Sequence, residues 1–254
     1  MSLFDLTGKV CIVTGSSRGI GRSIAENMAA HGAKVVVSSR KLDACQGVVD
    51  AITKAGGTAV AIPANISDKA GLQNLVDQSR KAFGPIDVLV CNAASNPYFG
   101  PSSGMGDEVF EKIMRNNVLS NHWLCQMVQP DMAAKRDGAI IIVSSIGGLK
   151  GSTEIGAYCI SKAADMQLAR NLACEWGPLN IRVNCIAPGL IKTDFARALY
   201  EDPARKAAAE ARFPLRRLGE PDDIGGIAVM LAGRAGAFIT GQSIVADGGA
   251  TITG

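Results

Sequence analysis

Tyr158 and Lys162 stand four residues apart in the stretch AYCISKAAD, residues 157 to 165. On a helix this spacing brings two side chains to one face. A phenol ordinarily holds its proton until about pH 10, so at neutral pH it is a poor base. An ammonium beside it favours the phenolate and pulls that value down. A tyrosine tuned in this way can pass a proton to or from a reacting oxygen. The same spacing also describes an amphipathic helix with a packed tyrosine and a solvated lysine. The pair needs support from elsewhere in the chain.

Some of that support lies in TGSSRGIG, residues 14 to 21. Gly15, Gly19 and Gly21 allow a tight turn there, with Ser17, Arg18 and Ile20 between them. Backbone N–H groups at the start of the following helix can then approach a pyrophosphate. A purely structural strand-to-helix turn would read the same way. The end of the next apolar run, VVVSSRK, speaks to the choice of nucleotide. An acid in this place would bind the ribose 2′-hydroxyl of NAD, whereas arginine suits the 2′-phosphate of NADP. Here Ser38 and Ser39 stand where the acid could be, and Arg40 and Lys41 follow. With Arg18 as a further cation, the pattern predicts NADP(H) in preference to NAD(H). Arg40 and Lys41 as solvated loop residues are the plain alternative.

Elements that could carry these residues recur along the chain. Apolar runs rich in β-branched residues occupy 9–15, 34–40, 59–65, 86–93, 138–145, 181–189 and 243–249. They are nearly continuous, as expected of parallel strands buried on both faces. Segments with helical periodicity separate them. The alternation predicts an α/β fold: a doubly wound, Rossmann-like parallel sheet of about seven strands, flanked by helices on both faces. A single domain over 1–254 is expected. Residues 194–217 interrupt the rhythm and are expected to form a mobile substrate lid.

Composition narrows the function classes. The 254 residues carry 26 basic and 23 acidic side chains, for a net charge of +3, and no basic run stands out. Nucleic acid is therefore not an expected partner. The opening segment lacks a signal-peptide pattern, and no apolar stretch is long enough to span a membrane. Seven scattered cysteines without a Cys-x-x-Cys pair suggest buried free thiols in a reducing cytoplasm. With two histidines, neither a metal site nor a Ser-His-Asp triad is expected. His31, just before Gly32, fits a helix-capping role.

Taken together, these motifs resemble the short-chain dehydrogenase/reductase family. The likeness runs from TGSSRGIG to VADGG. It includes CNAA (91–94), RNNVLSN around Asn117, IIIVSSIGG (140–148), Tyr158-x-x-x-Lys162 and NCIAPGLIKT (184–193). Each motif is weak alone; their order and spacing are specific.

The resemblance implies a nicotinamide-dependent oxidoreductase that interconverts a carbonyl and an alcohol. Tyr158 would be the acid/base. Lys162 would lower its pKa and bind the nicotinamide ribose. Ser145 would hydrogen-bond the substrate carbonyl, its spacing to Tyr158 favouring it over Ser144. Asn117, rather than Asn116, would hold a water in a proton relay. The cofactor set would comprise Gly15, Ser17, Arg18, Gly19, Ile20, Gly21, Ser39, Arg40, Lys41, Asn65, Ile66, Asn92, Ala93 and Ala94. Pro188, Gly189, Ile191 and Thr193 would complete it on the nicotinamide side, with Tyr158 and Lys162. Two departures from the usual pattern are Ala94 in place of glycine and Asn65 in place of aspartate.

A mostly apolar pocket is expected from Asn96, Tyr98, Leu149, Ile155, Leu190 and Phe195, suited to a ketone, an aldehyde or a 3-oxoacyl group. The resemblance also implies a homotetramer with helices near 107 and 156 at an interface. Alternatives are an NAD-dependent alcohol dehydrogenase of the same family and a catalytically silent cofactor-binding subunit.

Overall fold

The computed structural model describes residues 2–253. Seven strands form one all-parallel sheet: β1 (Val10–Thr14), β2 (Lys34–Ser38), β3 (Thr58–Ala61), β4 (Val88–Cys91), β5 (Gly138–Val143), β6 (Ile181–Pro188) and β7 (Ser243–Ala246). Their order is β3-β2-β1-β4-β5-β6-β7. Six fall within the apolar runs, and β3 starts one residue before its run, at Thr58; loop residues that leave the ladder trim the other ends. The chain reverses direction across the sheet between β3 and β4, so a crevice opens beyond the strand C-termini beside β1 and β4.

Side-chain alternation divides the core. Cys11, Val13, Val35, Val37, Ile141 and Val143 face α1 (Gly19–Ala30), α2 (Leu42–Lys54) and α8 (Asp222–Ala232). Val10, Ile12, Val36, Ile140, Ile142 and Val183 face α3 (Lys69–Phe83), α5 (Ser120–Lys135) and α6 (Gly156–Trp176). Burial on both sides is why the strands read as unbroken apolar runs. Each fully buried valine or isoleucine adds about 1.5–3 kcal/mol of transfer free energy.

Local signals set several helix ends. The Asp68 carboxylate accepts the Ala70 N–H at 3.0 Å and caps α3, whose last turn carries Arg80 and Lys81 against the helix dipole. The His31 ring nitrogen lies 2.8 Å from the Asn27 carbonyl oxygen at the end of α1, consistent with the expected capping role. Six of the seven cysteines are buried free thiols; Cys174 is exposed, contrary to expectation, because its position on α6 faces away from the sheet.

Residues 194–217 fold as a 3-10 turn (Asp194–Leu199) and a short helix, α7 (Pro203–Arg212). None of α7 is buried. The base of this excursion is clamped: Gly219 N–H donates to Leu190 O at 3.0 Å and Lys192 N–H to Gly219 O at 2.9 Å.

Candidate active site

The glycine turn leaves β1 and opens α1. Gly15 has a φ of +64°, a conformation that favours glycine. A Cβ on Gly21 would collide with the Gly15 carbonyl oxygen and the Asn92 amide. α1 starts without a side-chain cap and without an acid in its first turn. Its first N–H groups and positive dipole end are therefore free for an anion, so the cradle fits a dinucleotide pyrophosphate.

Asn92 holds this turn from β4. Its amide donates to Thr14 O at 2.9 Å and Gly15 O at 3.1 Å. Its own N–H and that of Ala93 donate to the Thr14 hydroxyl, each at 3.1 Å. The Asn92 side chain thus braces the turn. Ser16, absent from the sequence reading, ties the turn to β2: its hydroxyl accepts the Ser38 N–H at 2.9 Å.

At the adenine end, Arg40 and Asn65 line a cavity of about 400 Å³ with Ser67. Helix α4 (Asp107–Met114) and the turn after it contribute Glu108, Glu111, Lys112, Arg115 and Asn116 to the same wall. Of these, Glu108, Glu111 and Lys112 lie outside any recognisable sequence motif, and the packing of α4 against α6 brings them to the cavity. Arg18, the further cation of the glycine turn, meets Asp194 at 3.3 Å. The Ser39 hydroxyl lies 3.1 Å from the Cys45 thiol, and Lys41 flanks the start of α2. Ile66 packs partly buried against the core.

The residues expected to be reactive gather near the end of β5. Ser144 and Ser145 separate by environment. Ser144 is buried and its hydroxyl donates to Lys162 O at 2.8 Å. Ser145 opens a 3-10 turn, and its hydroxyl accepts Gly147 N–H at 3.0 Å. Gly148 in that turn lies so near α6 that a Cβ would stand 2.8 Å from the Lys162 carbonyl carbon. This close approach presses the Ser145 turn against the helix carrying Tyr158.

Tyr158, Ser161, Lys162 and Asp165 follow one face of α6. Lys162 is 2 % exposed; its ammonium donates to Val143 O at 2.8 Å and to Asp165 Oδ2 at 3.0 Å. It sits 5.7 Å from the Tyr158 ring centroid. Burial pushes the Tyr158 phenol up; Lys162 and Ser145 pull it down, and the balance stays above the ordinary value. The lysine therefore acts in the expected direction, but desolvation outweighs it. Burial also pulls Lys162 down, yet Asp165 and Tyr158 together carry it above the usual lysine range.

Asn117 lies in a widened turn, Arg115–Leu119, of π-helical form. Its amide donates to the Ser161 hydroxyl and to Ser95 O, each at 3.0 Å, while its Oδ1 accepts Ser95 N–H at 2.8 Å. Asn116 instead donates to the Ser95 hydroxyl at 3.0 Å. Ser95, Ser161 and Asn121 are residues that sequence reasoning missed. The signal for Asn121 was its position one turn after Asn117.

The expected substrate residues scatter. Leu190 lines a cavity of about 290 Å³ with Ile146, Lys150, Leu199, Arg212 and Phe213. The Phe195 ring centroid is 6.0 Å from that of Tyr158. Ile155 precedes α6, and Leu149 is 48 % exposed. Tyr98 serves its own loop, donating to Pro101 O at 2.9 Å. Asn96 Oδ1 is buried without a partner among the described residues. Pro188 ends β6 and Gly189 follows it, Ile191 is buried, and the Thr193 hydroxyl caps the Asp194–Leu199 3-10 turn.

Comparison with known proteins shows the family. A family model described as enoyl-(acyl carrier protein) reductase matches residues 15–251. Dehydrogenase/reductase SDR family member 4 of Bos taurus is 39% identical over 244 residues, covering 96% of this chain and 88% of the relative. A 7α-hydroxysteroid dehydrogenase complexed with NADH and 7-oxo glycochenodeoxycholic acid superposes with a TM-score of 0.93 at 36% identity, covering 97% of this chain and 95% of that one. A gluconate 5-dehydrogenase from Burkholderia cenocepacia, in complex with NADP and tartrate, gives 0.94 at 29% identity, covering 99% and 98%. With its glycine turn, parallel sheet and Tyr-x-x-x-Lys helix, the chain belongs to the short-chain dehydrogenase/reductase family of NAD(P)-dependent oxidoreductases.

Proposed function

We propose that this chain interconverts a carbonyl compound and its alcohol, with NADP(H) as cofactor and Tyr158 as acid/base. The observation that carries the reading is the buried Lys162 ammonium, fixed between Val143 O and Asp165 and 5.7 Å from the Tyr158 ring centroid. In reduction, the bound cofactor supplies a hydride to the carbonyl carbon and leaves oxidised, while the oxygen takes one proton and the product is an alcohol.

Negative charge grows on the oxygen as the hydride arrives. The hydroxyls of Ser145 and Tyr158 donate hydrogen bonds to it, as in an oxyanion site. Tyr158 then transfers its proton, and the Lys162 cation stabilises the phenolate left behind. Asn117 and Ser161 hold the backbone around this pair and border the relay that returns a proton. In the reverse direction the phenolate takes the alcohol proton.

The preference for NADP(H) rests on Arg40, without a carboxylate at the β2 end, and on Lys112 and Arg115 along the same cavity. Glu108 and Glu111 share that wall and temper its positive potential. The excursion 194–217 acts as the lid. Beneath α7, Leu190, Leu199 and Phe213 offer an apolar wall, with the Lys150 and Arg212 cations at the same cavity. This favours a carbonyl compound with an apolar body and an acidic group. The chain works as a cytoplasmic homotetramer; exposed Phe110 on α4 and Ile160 on α6 fit a subunit contact.

The test is a spectrophotometric screen with NADPH and NADH in parallel, over ketones, aldehydes, 3-oxoacyl thioesters and oxo acids. NADPH-dependent turnover is expected. NADH preference would overturn the cofactor reading, and absence of turnover throughout would favour a silent cofactor-binding subunit.

A further inference from the structure

Seven positions after Tyr158 on the same face of α6, Asp165 is fully buried. One carboxylate oxygen meets Lys162 Nζ at 3.0 Å; the other accepts the Asn121 amide at 2.9 Å. Asn121 also donates to Asn117 O at 2.6 Å. The carboxylate is therefore held on both oxygens, at the back of the catalytic lysine. Nothing in the proposed proton transfer uses it. A buried carboxylate is costly to desolvate, and this one faces the single cation at its site.

We infer that Asp165 is a positioning residue that partly cancels the Lys162 charge, keeps Tyr158 a protonated donor at neutral pH and so sets the site for carbonyl reduction. The inference rests on the reading of Tyr158 as acid/base. A lone ammonium beside a phenol favours the phenolate; an ammonium with a carboxylate at its back favours it less. Oxidation needs the phenolate, so it is moved to alkaline pH.

The other titratable groups around this trio do not supply a rival charge. Cys185 on β6 and Cys159 on α6 are thiols pushed up by burial, and Cys91 on β4 is pushed up by a hydrogen bond with the Cys125 thiol on α5 and by burial. Arg170 lies further along α6, toward Cys185. The Tyr158 phenol itself stays above its ordinary range, with Asp165 among the groups raising it.

Tyr158, Lys162 and Asp165 titrate as one coupled set. Removing the negative member must lower the pH at which the set gives up its next proton. The experiment is the pH dependence of kcat in both directions, with purified full-length Asp165→Asn, Asp165→Glu, Tyr158→Phe and wild type. In Asp165→Asn, the alkaline fall of reduction and the rise of oxidation should both move toward lower pH by about one unit or more. At fixed neutral pH the ratio of oxidation to reduction should rise about tenfold, as one unit implies. Asp165→Glu, which keeps the charge, should return toward the wild-type profile.

Should Asp165→Asn fail to fold, wild type still answers. Its phenolate absorbance minus that of Tyr158→Phe reports Tyr158 directly, and titration well above neutrality is expected. An unshifted profile in Asp165→Asn, or wild-type Tyr158 titrating near neutrality, would overturn the inference while leaving Tyr158 as acid/base intact. Turnover surviving in Tyr158→Phe would instead remove the reading beneath it.

Discussion

The Ser144 hydroxyl donates to the Lys162 carbonyl at 2.8 Å, tying the end of β5 to the helix that carries the reactive pair. The same lysine reaches back from α6 to Val143 O, also at 2.8 Å. Strand and helix are therefore laced twice at adjacent residues. Tyr158 on α6 and Ser145, two residues past the end of β5, keep their relative position through this lacing. Preorganisation of this kind makes a positioned hydroxyl pair effective against a developing oxyanion.

Tyr158→Phe removes one hydroxyl from this arrangement. The variant should fold normally and bind NADPH with near wild-type affinity, while kcat falls about 10²–10⁴-fold, the range for loss of a general acid. Circular dichroism, cofactor fluorescence and steady-state kinetics together check this. Near-normal kcat would show that another group moves the proton.

Arg40→Asp should reverse the cofactor preference. Replacing a cation by a carboxylate beside the 2′-phosphate repels NADPH and offers the ribose hydroxyl of NADH a hydrogen-bond partner. A fall in the NADPH-to-NADH ratio of kcat/KM of about 100-fold is expected, since two charges' worth of interaction change sign. An unchanged ratio would mean that Lys112 and Arg115 read the phosphate without Arg40.

Two glycines should respond oppositely to alanine. Gly21→Ala drives a methyl into the Gly15 carbonyl and the Asn92 amide, so NADPH affinity should drop at least about tenfold as the cradle opens. Gly47 sits in the exposed interior of α2 with nothing near a new Cβ. Gly47→Ala should leave binding untouched and stabilise the fold by up to about 1 kcal/mol, the helical preference of alanine over glycine. Fluorescence titration and thermal unfolding distinguish the pair.

Stability should respond to acid through Asp223. Hydrogen bonds from Arg217, at 2.6 and 2.8 Å, hold its carboxyl down at about 2, against partial burial that raises it. A depressed carboxylate contributes stability above its unfolded value and loses it as pH falls through the folded one. The contribution should thus be complete above about pH 4 and fade toward pH 2. Both partners are partly exposed, so it amounts to no more than about 1 kcal/mol. Arg217→Ala should lower stability at pH 6 and progressively less as the pH falls toward and below 2, by chemical denaturation.

The cations at the lid cavity predict a charge preference. Lys150→Ala with Arg212→Ala should raise KM for an oxo acid about tenfold, as loss of roughly 1.4 kcal/mol implies, and leave KM for the uncharged analogue unchanged. Equal effects on both would point to a packing role for the two side chains.

Much of the scaffold was legible in the sequence because its cause is local or periodic. Parallel strands buried on both faces must be apolar at successive residues, and β5 is buried at all six positions. The glycine turn was legible because positive φ and close approach exclude other residues at Gly15 and Gly21. Tyr158 and Lys162 share a face because a helix repeats every 3.6 residues.

What the sequence could not disclose depends on contacts between distant elements. Ser144 and Ser145 are neighbours of one type, and only the approach of α6 at Gly148 gives them different partners. Arg18 read as one more cation for the nucleotide, and the fold brings Asp194 beside it from 176 residues away. Lys162 promised a lowered phenol, but desolvation is set by packing from all sides and prevailed. Asp165 was visible only as another helical residue; the sheet, α5 and Lys162 together made it a buried charge. Sequence alone determined the strand and helix pattern, the glycine turn and the shared face of Tyr158 and Lys162, since each follows from spacing along one chain segment. Tertiary structure alone decided the burial and partners of those residues, because packing and electrostatics act through space, across segments that the sequence holds far apart.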